Sequence, residues 1–187
     1  TPVVKELENR RIDTVLIHSG QHYSYNMSEL FFMELGLRKP DYDLDVKSKS
    51  PLHQGEHIGR MLAQFDDILI EEKPDFVVDH GDTNTTLAGA LSAAKLKIRL
   101  GHVEAGLRSF DRTMPEELNR IIADSLSDIL FAPTENSKAN LLKENTAGKI
   151  HVTGNTIVDV INSHKLKDEK ILESLKSPPC SKGAMNI

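Results

Sequence analysis

DFVVDHGDTNTTLAGALSAAKLKIRLGHVE, residues 75–104, reads as a strand, a helix and a second strand with no hairpin between them. Residues 75–80, DFVVDH, predict a strand. Residues 83–96 are rich in Ala and Gly, so the helix predicted there can lie close against a sheet. Residues 98–104, IRLGHVE, predict the next strand. Two parallel strands need a crossover of this length, and a helix is the usual one.

The same alternation extends both ways. Toward the N-terminus, residues 3–10 predict a short helix, with Thr1 as cap and Pro2 in its first turn. Residues 13–19 predict a strand, and 26–37 a helix with Asn26 and Glu29 as a capping box and Gly36 at its end. Residues 41–46 read as extended, 48–53 as a polar loop, and 55–73 as an amphipathic helix stopped by Pro74. Toward the C-terminus, helices are predicted at 115–127, 134–145 and 155–166, and strands at 128–133 and 149–154. Pro115 opens the first of these helices and Thr134 caps the second. The fold class that follows is α/β, a doubly wound, mostly parallel sheet. Residues 1–166 form its domain, and the charged tail 167–187, with Ser177-Pro178-Pro179, reads as a linker. The chain opens on a helix and stops at GAMNI, so a fragment of a larger protein is expected.

Composition narrows the function. With 39% hydrophobic and 27% charged residues, the chain is of ordinary globular type. A net charge of −5 with mixed signs argues against a nucleic-acid surface, which needs a clustered basic face. A small anionic ligand stays open, because one or two arginines suffice for it. Cys180 is the single cysteine, so neither a disulfide framework nor a cysteine zinc site forms within one chain, and a cytoplasmic setting is expected. No apolar run approaches a membrane span, and the N-terminus lacks the apolar stretch of a signal peptide. The eight histidines include no HExxH pair. His53 and His57 are read as surface residues rather than metal ligands, and no metal is expected.

Ligands of open α/β sheets bind outside the carboxyl ends of the strands. The segments there are His18 to His22, His80 to Thr83, His102 to Arg108, Pro133 to Glu135 and Gly154 to Thr156. Each has a purely structural reading. Asp82 precedes a helix and could cap it. Glu104 could pair with Arg108 or Arg120. Glu116 and Glu117 lie in a first turn, where acids suit the helix dipole. Asn155 and Thr156 read as caps. Together, however, Asp82, Glu104 and Glu116 follow neighbouring strands and could converge on one cleft, where mutual proximity would separate acid from base roles. Arg108, Arg112 and Arg120 could balance that charge or hold a phosphate or sugar hydroxyl. Neither GxGxxG after a strand nor GxxxxGK[ST] is present, so dinucleotide and P-loop readings are weak.

HSGQHY, HGDTNTTLAGALSA, GHVEAGLRSFDRTMPEELNR, FAPTENSKANLLKEN and HVTGNTIVDVI occur in this order between residues 18 and 161. This set resembles the non-hydrolysing UDP-N-acetylglucosamine 2-epimerase family. The resemblance implies Rossmann-like domains in a GT-B-like pair with the substrate between them, this chain being the N-terminal one. It implies interconversion of UDP-N-acetylglucosamine and UDP-N-acetylmannosamine by elimination of UDP to a 2-acetamidoglucal and re-addition. No redox cofactor is implied; a homodimer is. Asp82, Glu104 and Glu116 match the family's catalytic acids, with the identity of the C2 base left open. Arg120 matches an orienting arginine, Arg108 lies in the same motif, and Gln21 and His22 match a loop bordering the site.

Departures from the family pattern are specific. Its opening strand with a GTRPE-like loop has no counterpart after Thr1, and its second domain, with a histidine and a Ser-Gly-Gly loop, has none before Ile187. Ser125 stands where histidine is frequent, and Asp79 where the family has an apolar residue. An acid in a central strand needs a partner or costs stability. Two rival readings remain: a hydrolysing relative releasing free N-acetylmannosamine and UDP, and a non-catalytic nucleotide-sugar-binding fragment.

Overall fold

The computed structural model describes residues 2–20, 32, 36–46 and 53–163. In chain order its elements are helix α1 (Pro2–Asn9), strands β1 (Ile17–His18) and β2 (Tyr42–Asp43), and helix α2 (Gln54–Glu72). Strand β3 (Phe76–His80), helix α3 (Asn84–Lys95), strand β4 (Arg99–Val103) and helix α4 (Pro115–Leu126) follow. Strand β5 (Ile129–Ala132), helix α5 (Glu135–Lys143), strand β6 (Lys149–Val152) and helix α6 (Thr156–Ser163) complete the series.

Every pairing is parallel: β1 with β2, and β3-β4-β5-β6 in sequence order. The alternation expected from the sequence is therefore present, and the fold is α/β of the Rossmann-like kind. The two sheets share no ladder among the described residues. They are joined by packing under α2, whose Met61, Phe65 and Ile68 bury against Leu44, Val46 and Ala88, with Ile17 and Tyr42 at the margin. Helix α3 lies between α2 and α4 and against β3 and β4. Its buried Ala88, Gly89, Ala90 and Ala93 allow that closeness. A Cβ on Gly89 would stand 2.7 Å from Asp79 Oδ1, so only glycine leaves room there.

Helix ends follow their sequence signals. Lys73 adopts the left-handed region at φ 48 and donates to the Leu69 carbonyl, and Pro74 prevents continuation. Thr134 Oγ1 accepts the Ser137 N–H at 3.1 Å. Asn155 Oδ1 accepts the Ile157 N–H at 3.0 Å, which caps α6.

Two expectations are corrected. The strand predicted over 13–19 shrinks to Ile17–His18. Just before it, Leu16 N–H donates to Asp41 Oδ2 at 2.7 Å and Arg38 Nη2 to the Thr14 carbonyl at 2.7 Å, so side chains take backbone groups that a ladder would use. His57 is buried, 4% exposed, rather than a surface residue. Its Nε2–H donates to the Val46 carbonyl at 2.8 Å, and its Nδ1 faces Asn84 Nδ2 at 3.4 Å. Most of the helix predicted over 26–37, and the whole tail 167–187, lie outside the described residues.

Candidate active site

The carboxyl ends of β3 and β4 are adjacent, because the register pairs Asp79 with His102 and His80 with Val103. Gly81 continues this contact by donating its N–H to the Val103 carbonyl at 3.2 Å. Asp82 and Glu104, one residue past each of these anchors, are thereby brought to the same sheet edge. A Cβ on Gly81 would lie 3.9 Å from Glu104 Oε2, which measures how near the two loops run.

Glu104 has φ 74, a region that non-glycine residues avoid. Its side chain is 26% exposed and its Oε1 lies 3.5 Å from His80 Nε2. Backbone strain of this kind collects at functional sites, where surrounding contacts hold it in place. Here the flanking Ala105 N–H is fixed on the Phe131 carbonyl at 3.2 Å. The pairing of Glu104 with Arg108 or Arg120, open on sequence grounds, is absent among the described contacts; its partner is His80.

Asp82 does not cap α3. Its Oδ2 accepts from Arg120 Nε at 3.0 Å and Nη2 at 2.6 Å, and its carbonyl accepts from Asn119 Nδ2 at 2.9 Å. Arg120 also donates through Nη1 to Glu117 Oε2 at 2.8 Å. Burial works against the Arg120 charge, but its hydrogen bonds to Asp82 and Glu117 outweigh that and raise its pKa. Glu117 is 1% exposed and accepts the Ser109 and Phe110 N–H groups at 2.9 and 3.0 Å. Burial pushes the Glu117 pKa up; the Ser109 N–H, Arg120 and the Phe110 N–H outweigh that and hold it below the usual carboxylate range. The first turn of α4 thus divides its two acids. Glu117 anchors the loop behind it, while Glu116 is exposed and makes no hydrogen bond or ion pair with a described residue.

Arg108 is expected from the sequence at the cleft, and the structure turns it inward. Its side chain is 1% exposed, with Nη2 2.7 Å from Asp124 Oδ2 and paired with Glu144. Two buried or half-buried carboxylates satisfy the guanidinium more fully than the open edge would. Arg112 remains exposed. Gln21 and His22 lie outside the described residues.

Sequence reasoning passed over His102 and Asp124. Both are fully buried, and His102 Nδ1 is 2.7 Å from Asp124 Oδ1. Glu117, Arg120 and Asp124 recur at i, i+3 and i+7, a helical spacing that puts three charges on one face of α4. That periodicity was the available signal. Asp79 lies beside His102, and its Oδ2 is out of solvent without a hydrogen-bond partner. Burial pushes the Asp79 carboxyl up to about 7, opposed by the charge on His102.

No cluster of three or more metal-ligating side chains occurs among the described residues. No described helix is long and apolar enough to cross a membrane.

A parallel sheet with acids on two adjacent strand ends, braced by an arginine from the next helix, defines a class: Rossmann-like α/β domains with a charged carboxyl edge, where such folds take ligands. Within that class, the sequence profile described as UDP-N-acetylglucosamine 2-epimerase matches residues 5–183. The chain belongs to the UDP-N-acetylglucosamine 2-epimerase family. A UDP-N-acetylglucosamine 2-epimerase of Methanococcus maripaludis is 53% identical over 175 residues, covering 91% of this chain and 46% of the relative. A UDP-2,3-diacetamido-2,3-dideoxy-D-glucuronate 2-epimerase of Pseudomonas aeruginosa is 47% identical over 156 residues, covering 82% of this chain and 43% of the relative. The crystal structure of Methanocaldococcus jannaschii UDP-GlcNAc 2-epimerase, in complex with UDP-GlcNAc and UDP, superposes with a TM-score of 0.86 at 50% identity. That match covers 94% of this chain and 49% of the other. The chain thus spans about half the length of the relatives it matches.

Proposed function

We propose that this chain supplies one half of the active site of a UDP-N-acetylglucosamine 2-epimerase, an isomerase that interconverts UDP-GlcNAc and UDP-ManNAc. The observation that carries the proposal is the meeting of Asp82 and strained Glu104 at one sheet edge, with Arg120 clamped on Asp82. The reaction needs such a group of acids. The sugar C2–H is not next to a carbonyl, so it becomes acidic only as the C1–O bond to UDP stretches. A carboxylate beside C1 stabilises the growing positive charge. Another takes the C2 proton as the C1–O pair leaves with UDP, giving the 2-acetamidoglucal. UDP then adds back to C1 while a proton is delivered to the opposite face of C2. In this reading Asp82, Glu104 and Glu116 are the acids, Glu116 being the one that projects from the domain. Arg120 orients Asp82, Gln21 and His22 border the sugar, and Arg108 belongs to the framework beneath. The remaining contacts come from the length of the relatives that this chain does not span, and the assembly is a cytoplasmic homodimer.

Fusing this chain to the part of the M. maripaludis relative that it does not cover gives an enzyme for assay. Incubation with UDP-GlcNAc is expected to yield UDP-ManNAc. Free N-acetylmannosamine with stoichiometric UDP would instead identify a hydrolysing enzyme, and binding without turnover a non-catalytic one. The P. aeruginosa relative favours a second substrate, UDP-2,3-diacetamido-2,3-dideoxy-D-glucuronate, so both sugars belong in the assay. The higher kcat/KM assigns the substrate.

A further inference from the structure

His102, Asp124 and Arg108 form a buried charged group beneath the sheet edge, and the elimination chemistry has no direct use for it. His102 Nε2 lies 2.8 Å from the Gly81 carbonyl and Nδ1 lies 2.7 Å from Asp124 Oδ1. The Gly81 carbonyl accepts, and so does the Asp124 carboxylate beside Arg108, so the geometry calls for protons on both ring nitrogens. The other Asp124 oxygen, Oδ2, accepts the Gly106 N–H at 3.0 Å and Arg108 Nη2 at 2.7 Å.

These contacts meet the two acid-bearing loops at their roots. Gly81 immediately precedes Asp82. Gly106 closes the turn that begins at Glu104, and it has φ 78 with a Ser137 carbonyl oxygen only 2.3 Å from where a Cβ would stand. One aspartate–histidine pair therefore ties the β3–α3 loop to the β4–α4 loop, and ties both to α4, whose Arg120 holds the Asp82 carboxylate. Stability alone does not account for such a pair, since well-packed apolar side chains commonly do as well as buried ion pairs. The strained backbone at Glu104 gives it a purpose, because a disfavoured conformation persists only where neighbouring contacts over-determine it.

We propose that His102 and Asp124 are positioning residues that fix Asp82 and Glu104 relative to one another, with His102 acting as a two-donor clamp. This rests on the reading of Asp82 and Glu104 as acids of the epimerase reaction. The charged groups facing the ring are Asp124 from α4, Asp79 from β3, and Arg108 from the loop after β4, with Glu144 behind Arg108. Arg108 is shared between Asp124 Oδ2 and Glu144, and Asp124 Oδ1 is the oxygen that pairs with the ring.

Two measurements on this 187-residue chain and one on the fused enzyme test the proposal. Nitrogen-15 NMR of the imidazole at about pH 7.5, where an ordinary histidine is mostly neutral, is expected to show protons on both His102 nitrogens. A neutral ring overturns the clamp. Amide exchange at Gly81 and Gly106 is expected to quicken together in His102→Gln. Asp124→Asn weakens the acceptor that both the ring and the Gly106 N–H use, is expected to quicken exchange at Gly106 at least as much as His102→Gln does, and serves if the first variant does not fold. Unchanged exchange at both glycines in both variants overturns the coupling. In the fused enzyme, His102→Gln is expected to lower kcat by about 100-fold, the cost of a small misplacement of reacting groups, with KM for UDP-GlcNAc within about threefold. Unchanged kcat alongside faster exchange shows that the acids need no such clamp. If the unaltered fusion has no turnover, the epimerase reading fails, while the NMR and exchange results still decide whether the pair holds the two loops.

Discussion

Asp79 gives the sharpest energetic prediction. Its carboxyl is packed against Gly89 on one side and His102 on the other, Oδ2 has no hydrogen-bond partner, and burial moves its pKa from 3.8 to about 7. The neutral form is therefore favoured by folding. Below the unfolded pKa both states are protonated and nothing is lost. As pH rises from about 4 to about 7 the unfolded chain releases the proton while the native one retains it, so stability falls across that window and then levels off. The displacement corresponds to about 4 kcal/mol at pH 8, a ceiling because a carboxylate that turns toward solvent on ionising recovers part of it. Asp79→Val keeps a strand-forming side chain small enough for the space opposite Gly89. It is expected to stabilise the chain by about 2–4 kcal/mol in urea denaturation at pH 8 and by much less at pH 4. The loss of attraction between Asp79 and the His102 imidazolium trims this gain. A gain of equal size at both pH values, or a loss at pH 8, would show that Asp79 is not held neutral by burial.

Other outcomes follow from the same contacts. Glu104→Gln in the fused enzyme is expected to cut turnover by about 100-fold or more with little change in Tm; retained turnover removes Glu104 from the chemistry. Glu104→Gly relieves the positive φ and is expected to raise stability by about 1 kcal/mol while abolishing turnover, a split that thermal denaturation and product analysis read separately. Arg108→Ala leaves Asp124 and Glu144 short of a cation and is expected to cost about 3–5 kcal/mol in denaturant, against the small effect of a cleft arginine. The His102 pKa is raised because Asp124 and the Gly81 carbonyl outweigh burial. Its contribution is thus full below the unfolded value of 6.5 and is lost as pH rises through the higher folded one. Urea midpoints of His102→Gln are expected to lack that alkaline decline.

Much of the fold was legible because local signals agreed. The strands at 76–80 and 99–103 flank an Ala- and Gly-rich helix, and Pro115, Thr134 and Asn155 each start a helix by a local mechanism. The neighbourhood of Asp82 and Glu104 followed from topology, since both come one step after adjacent parallel strands. What escaped was side-chain direction. Arg108 follows Glu104 closely in sequence, yet its partners are Asp124 and Glu144, which only the packing of α4 and α5 brings within reach. Glu116 and Glu117 are neighbours of the same type, and the phase of α4 alone sends one outward and the other onto the loop at Ser109. His57 looked like a surface residue, although Met61 and Phe65 at i+4 and i+8 mark its face of α2 as the buried one. Asp79 was marked in the sequence as an acid that needs a partner, and its Oδ2 has none among the described residues.

In the proposed reaction, Asp82 and Glu104 belong to a site that moves the sugar C2 proton. Running the fused enzyme on UDP-GlcNAc in D2O and following C2 by proton NMR tests it most directly. Elimination and re-addition exchange that hydrogen with solvent, so deuterium is expected at C2 of both UDP-ManNAc and recovered UDP-GlcNAc, and Glu104→Gln is expected to slow its entry. UDP-ManNAc formed with C2 protium intact, or deuterium entering at the same rate in Glu104→Gln, contradicts the account.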